Sequence, residues 1–211
     1  MKRLLILGAG TGGTIVANRM RKRLGRDWRV TVIDPHERHL YQPGLLFLPF
    51  GRYDADSIQR PRGKTLRRGV EWIHGEVTRV DTHRRLVGLA DGEPLSYDLL
   101  VIASGTEIRP DKTTGLLGEG WRKRVFDFYT LEGALALREA LERFEEGRLV
   151  LNVVEHPIKC PVAPLEFLFL ADEYFARRGI RERVELVYAT PLDAAFTKPV
   201  ASAALATGLV K

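Results

Sequence analysis

Residues 3–7 read as one aliphatic strand that runs without a spacer into Gly8-Ala9-Gly10-Thr11-Gly12-Gly13, after which Ile15, Val16, Met20 and Leu24 recur at helical spacing. A second run, Arg29-Val30-Thr31-Val32-Ile33, closes a βαβ unit. Strands that read as near-continuous Val, Ile and Leu are buried on both faces, so this unit begins a parallel sheet covered by other layers. Each glycine of Gly8-x-Gly10-x-x-Gly13 meets a separate demand. Gly8 allows a tight turn, Gly10 lets backbone approach a pyrophosphate, and Gly13 lets helix pack closely on strand. The N–H groups that open the helix then face the phosphate charge. Asp34, ending the second strand, is placed to accept both hydroxyls of a ribose and to repel a 2′-phosphate, which selects FAD or NAD over NADP. The bland alternative is a plain turn beside a solvated strand end. It leaves the joint occurrence of strand, glycines, helix and acid unexplained.

The rest of the chain repeats this pattern less completely. After Asp34, residues 35–63 are irregular and rich in Pro, Gly and aromatics, with a short helix expected near Asp56 to Arg60. A loop of that length is usually functional, so it is expected to line a ligand. Residues 70–80 and 84–89 read as strands of a small sheet, and Leu99 to Ala103 as another fully buried strand ending in Ser104-Gly105. Small residues at Ala103, Ser104 and Gly105 suit a flavin dinucleotide lying against backbone, or equally a tight strand-to-loop turn. Beyond a linker at 109–123, a helix over 131–146, a strand over 149–154, a helix over 164–178 and a strand over 184–188 make a second βαβ unit, continued by an apolar helical segment over 199–211. The expected fold class is therefore α/β, with tandem Rossmann-like, doubly wound parallel sheets. Residues 1–108 form the FAD-binding domain with a small β insertion. Residues 109–211 form a second, incomplete one that looks truncated.

Composition narrows the chemistry. With 45% hydrophobic and 28% charged residues the 211-residue chain is globular, and no run approaches the ~20 apolar residues of a membrane-spanning helix. The start reads as cytosolic, because glycines from Gly8 onward cut short any signal-like apolar stretch. The single cysteine, Cys160, excludes an intrachain disulfide, and no metal site is expected. Arginine enrichment with few amides follows a thermophile pattern and accounts for much of the +6 charge. Arg60, Arg62, Lys64, Arg67 and Arg68 lack interleaved aromatics for base stacking, so they read as a solvated basic face and nucleic-acid binding is not expected. Cys160 is either a buried inert thiol or a reactive one. Lys159 beside it and His156 four residues before favour the thiolate, the nucleophilic form. Glu166, near the start of the following helix, is a candidate proton carrier, although a first-turn glutamate also simply complements the helix dipole.

Three segments together resemble the sulfide:quinone oxidoreductase family over nearly the whole chain. They are Leu7 to Gly13, Val32 to Pro43 with its His39-Leu40-Tyr41-Gln42-Pro43, and Ile158-Lys159-Cys160-Pro161-Val162-Ala163-Pro164. The resemblance implies an FAD-dependent enzyme that oxidises sulfide to zero-valent sulfur and reduces a membrane quinone. It further implies that Thr11 and Gly12 contact the pyrophosphate, Asp34 the adenosine ribose, Gln42 the flavin side and Val77 the adenine through its backbone. Pro43 is then near the isoalloxazine ring. Cys160 corresponds to a redox cysteine whose oxidised form takes up sulfide as a persulfide. The family's second cysteine, its late Gly-Asp segment and its C-terminal membrane region have no counterpart in these residues. Peripheral association with the cytoplasmic side of the membrane, and self-association of the chain, follow as expectations. Leu151 to Pro157 carry no glycine turn, so a pyridine nucleotide is not the expected reductant. Two alternatives stay open: a type-II NADH:quinone dehydrogenase, and a non-catalytic flavin-binding module.

Overall fold

The computed structural model describes residues 1–209. The chain divides into two units, the first made of Met1–Gln42 and Asp54–Glu107 and the second of Pro43–Tyr53 and Ile108–Lys211.

In the first unit β1 (Lys2–Leu7), α1 (Thr11–Arg23) and β2 (Trp28–Asp34) form the βαβ core. A hairpin-like pair, β3 (Arg38–Leu40) and β4 (Gln59–Pro61), precedes the one-turn helix α2 (Arg62–Thr65). Then follow β5 (Val70–His74), β6 (Val77–Asp81), β7 (Leu86–Leu89), β8 (Leu95–Ser96) and β9 (Leu99–Ile102). The parallel sheet has the order β5-β2-β1-β9. Alternation along β1 explains why its sequence is aliphatic without interruption. Leu4 and Ile6 join Val30 and Val32 against Ala17 of α1, whereas Leu5 and Leu7 join Ile33 against Val87 of β7. The antiparallel sheet β6-β7-β8 thus covers the face that α1 leaves bare. Leu7 stands level with Ile33 and Ile102 in the register, so β1, β2 and β9 reach the same edge of the sheet. Gly8 and Asp34 both emerge at that carboxyl edge.

The second unit pairs β10 (Gly147–Asn152) with β11 (Val184–Ala189) in parallel, with helices α3 (Leu131–Arg143) and α4 (Ala163–Arg177) and a terminal helix, α5 (Pro199–Leu209). Leu137, Leu141, Phe167, Leu168, Ala171 and Phe175 form its core with Leu151 and Val184. The α3 start is capped by Thr130, whose Oγ1 accepts from Gly133 N–H at 3.0 Å.

Several local expectations are corrected. Val70–His74 pairs in parallel with β2, so it belongs to the main sheet and not to the small one. Its mixed Val-Glu-Trp-Ile-His composition fits an edge strand, where Glu71 accepts from Thr31 Oγ1 at 2.8 Å. Leu99–Ile102 is the opposite edge and is not fully buried, with Leu99 48% and Ile102 67% exposed. No helix forms over Asp56 to Arg60: residues 55–58 are a turn that runs into strand β4, paired with β3, and the helical turn begins at Arg62. Residues 43–53 do not stay with the loop around them. They fold as two 3₁₀ turns whose Leu46 and Phe50 enter the second unit's core, Phe50 lying 5.0 Å from the Phe167 ring. Arg52 pairs with Glu173 beside them. The expected apolar helix over 199–211 is present through Leu209, and its last two residues lie outside the described residues.

Candidate functional site

The glycine turn is shaped by what surrounds each position. Gly8 has φ +91°, and a Cβ there would stand 2.4 Å from the Ala103 carbonyl oxygen. Ala103 in turn donates its N–H to Leu7 O at 2.8 Å, and Gly8 donates to Ile33 O at 2.8 Å. A Cβ on Gly13 would stand 1.9 Å from Gly8 O. Gly8, Gly13, Ala103 and Ser104 are therefore packed together by backbone contact. Gly10 and Gly12 differ. Nothing lies within 4 Å of a Cβ at either one. Thr11 and Gly12 open α1 exposed, the helix has no side-chain cap, and no acid occupies its first turn. The first N–H groups of a helix have no intrahelical partner, so this end offers donors and open space to an anion.

Asp34 sits beside that opening, 6% exposed. Its Oδ2 accepts from Ala9 N–H at 2.6 Å, and its Oδ1 from His36 N–H at 2.8 Å. Arg62 completes the carboxylate's surroundings, with Nη2 2.8 Å from Oδ1. This arginine is 3% exposed, which corrects its assignment to a solvated basic face. Its guanidinium also donates to the backbone oxygens of Ala9, His36 and Arg38. Sequence reasoning missed it because a basic run gives no sign of which member turns inward. The signal for it is Asp34, since an acid that ends a buried strand needs a cation or donors if it is buried too.

The remaining expected cofactor residues lie at separate places. Val77 starts β6, packed against the β1 and β2 face. Ser104 and Gly105 are exposed after β9, Gly105 at φ +76°. Gln42 and Pro43 are exposed, Gln42 in the first unit and Pro43 in the second.

In the second unit Cys160 is a free, exposed thiol. Its backbone has φ +111°, a conformation that side-chain-bearing residues rarely adopt and that surrounding structure must hold in place. Its carbonyl accepts from Ala163 N–H at 3.2 Å, at the entry to α4. Glu166 is exposed in the first turn of that helix. Tyr129 is a residue that sequence reasoning did not select. Its hydroxyl is buried without a partner among the described residues, and burial, then the charge of Cys160, pushes the phenol up to about 12. It therefore stays protonated and keeps its O–H as a donor. Asp127 holds Tyr129 in place: Oδ1 accepts from Tyr129 N–H at 3.0 Å and Thr130 N–H at 2.8 Å, while Oδ2 pairs with Arg122 Nη1 at 2.6 Å. Space there is full, since a Cβ on Gly133 would lie 2.0 Å from Arg122 Nη1.

The residues of the first unit fit the adenosine diphosphate half of a dinucleotide. Gly10 and Gly12 leave the room that a Cβ would fill, the α1 N–H groups suit the pyrophosphate, and Asp34 Oδ2 retains an acceptor site.

Comparison with known proteins agrees with that fit. A mitochondrial sulfide:quinone oxidoreductase of Mus musculus is 29% identical over 92% of this chain and 43% of its own length. A type II NADH:quinone oxidoreductase of Haemophilus influenzae is 32% identical over 55% of this chain and 29% of its own. The crystal structure of the sulfide:quinone oxidoreductase from Aquifex aeolicus superimposes with a TM-score of 0.79 at 22% identity, covering 98% of this chain and 49% of that one. That likeness establishes the shared Rossmann-like α/β fold. The chain thus spans less than half the length of these relatives. The family model of the pyridine nucleotide-disulphide oxidoreductases matches residues 2–153, and with most of its length inside that match the chain belongs to this family.

Proposed function

We propose that this chain is the FAD-binding and sulfur-handling part of a sulfide:quinone oxidoreductase. The observation that carries the reading is the exposed thiol of Cys160, set in Lys159-Cys160-Pro161 at the entry to a helix. A sulfur nucleophile must be reachable by a small anion in water, and a buried cysteine is inert. The Tyr129 phenol, held protonated by burial, is the proposed neutral donor to the Cys160 sulfur. Exposed Lys159 adds a cation next in sequence. Glu166, exposed one turn into α4, is the group proposed to exchange protons with solvent. In the first unit, Gly10, Thr11 and Gly12 would hold the pyrophosphate and Asp34 a ribose hydroxyl. When bound, FAD would supply the two-electron acceptor. Gln42, Pro43, Val77, Ala103, Ser104 and Gly105 remain the proposed contacts to the rest of the flavin nucleotide. Quinone is the proposed final acceptor, after the sulfide:quinone oxidoreductases that the chain is similar to, and membrane association is proposed with it. No helix among the described residues is long and apolar enough to cross a membrane.

A second reading, a type-II NADH:quinone dehydrogenase, is favoured by the Haemophilus relative. Against it, β10 runs into Val153-Val154-Glu155-His156 with no glycine turn. Side chains and an acid there oppose a second pyrophosphate. The two readings separate on the reductant. Adding sulfide to the FAD-loaded chain is expected to bleach the visible flavin band, and NADH is not. In Cys160→Ala the sulfide-dependent bleaching is expected to slow by about a hundredfold or more, the scale of losing a nucleophile. Equal rates in the mutant would remove Cys160 from the reaction. Bleaching by NADH alone would select the dehydrogenase, and held flavin that neither donor bleaches would leave a binding module.

A further inference from the structure

Asp34 and Arg62 form a buried ion pair whose hydrogen bonds can be counted. A carboxylate offers about four acceptor sites, two on each oxygen. On Oδ1 both are filled, one by His36 N–H and one by Arg62 Nη2, each at 2.8 Å. On Oδ2 one is filled by Ala9 N–H at 2.6 Å, which leaves a single site. Arg62 is not free to withdraw and release Oδ1. Its Nε donates to His36 O at 3.1 Å, its Nη2 donates to Arg38 O at 3.1 Å, and its Nη1 donates to Ala9 O. At 3% exposure, water does not replace these partners. Its own backbone N–H is bound to Glu37 O at 2.8 Å, which ties the start of α2 to the loop after β2.

We infer that Arg62 is a positioning residue that makes Asp34 a single-hydroxyl acceptor. By saturating Oδ1 it leaves Oδ2 alone to take one of the two ribose hydroxyls of an adenosine diphosphate group. By holding Ala9 O it fixes the glycine turn on which that group rests. An acid with both oxygens open would instead take the two hydroxyls together, as expected from the sequence. The inference rests on the dinucleotide reading above and specifies how the site recognises its ligand.

Binding of ADP, 2′-deoxy-ADP and 3′-deoxy-ADP to the whole chain, measured by calorimetry, tests it. One deoxy analogue is expected to bind about tenfold or more weaker than ADP, the scale of a charge-assisted hydrogen bond, while the other stays within about twofold. Arg62→Met opens Oδ1, so both analogues then bind more weakly than ADP and the ratio between them falls to about twofold. A general loss of stability would lower all three affinities and leave that ratio unchanged. Equal losses for both analogues on the unmutated chain overturn the inference alone. So does an Arg62→Met ratio equal to that of the unmutated chain. No ADP binding to the unmutated chain overturns the dinucleotide reading and this inference together. Should circular dichroism show Arg62→Met unfolded, Arg62→Gln, too short to span to Oδ1, takes its place. The comparison of the two analogues on the unmutated chain stays decisive in either case.

Discussion

Gly13→Ala is expected to destabilise the first unit severely. The added Cβ would stand 1.9 Å from Gly8 O and 2.9 Å from Gly8 C, both backbone atoms. Neither side has a flexible side chain to give way. Gly8 is itself pressed against Ala103 and hydrogen-bonded to Ile33 O, and α1 is seated on Leu4, Ile6, Val30 and Val32 through Ala17. Alanine gains about 1 kcal/mol of helix propensity over glycine. Relief of the overlap requires moving the helix off the sheet, which forfeits packing of a fully buried face. A net loss of about 4 kcal/mol or more is expected, at the upper end for single substitutions. For a chain of this length that is a fall of roughly 8–16 °C in Tm. Melting followed by circular dichroism measures it, and a mutant that melts within about 2 °C of the parent would contradict the packing role assigned to Gly13.

Gly10→Ala is expected to do the opposite. Gly10 has φ −63° and ψ −167°, which any residue adopts, and its Cβ would meet nothing within 4 Å. Stability should therefore change by no more than about 0.5 kcal/mol. The open space is where the backbone would approach a pyrophosphate, and a methyl group there holds the phosphates off the α1 N–H groups. FAD affinity is expected to fall about a hundredfold, measured by titration against the intact chain. Unchanged affinity would mean that the turn is shaped for packing alone. Gly10 and Gly13 thus separate ligand binding from folding within one motif.

Much of this was legible in the sequence, for reasons that differ by residue. The aliphatic β1 and β2 announced a sheet covered on both faces because Leu4 and Leu5 bury in opposite directions. The glycine turn was legible because backbone contact tolerates no other residue at Gly8 and Gly13. Edge strands were not so clear. Val70–His74 alternates only weakly and reads like part of a small insertion, yet its backbone completes the main sheet. Leu99–Ile102 is apolar while one side remains open. The segment 43–53 looked like loop because its contacts, Phe50 with Phe167 and Arg52 with Glu173, reach over a hundred residues along the chain. Local pattern carries no record of such pairings.

The candidate site divides in the same manner. Gly10, Thr11, Gly12 and Asp34 are recognisable because their spacing reflects one local βαβ geometry. Arg62 and Tyr129 are not. Each is placed by its partners: Arg62 by a carboxylate and three carbonyls, Tyr129 by the Asp127 bonds that fix its backbone. Neither residue belongs to a spaced motif. A basic residue among four others, and one aromatic among Phe126-Asp127-Phe128-Tyr129, give no local cue of burial.

The proposed function requires that the first unit hold a dinucleotide through its glycine turn and Asp34. Titrating FAD into the purified chain, with ADP as competitor, tests this most directly. A one-to-one complex that ADP displaces is the predicted result. Flavin that fails to bind, or that binds without being displaced by ADP, would contradict it.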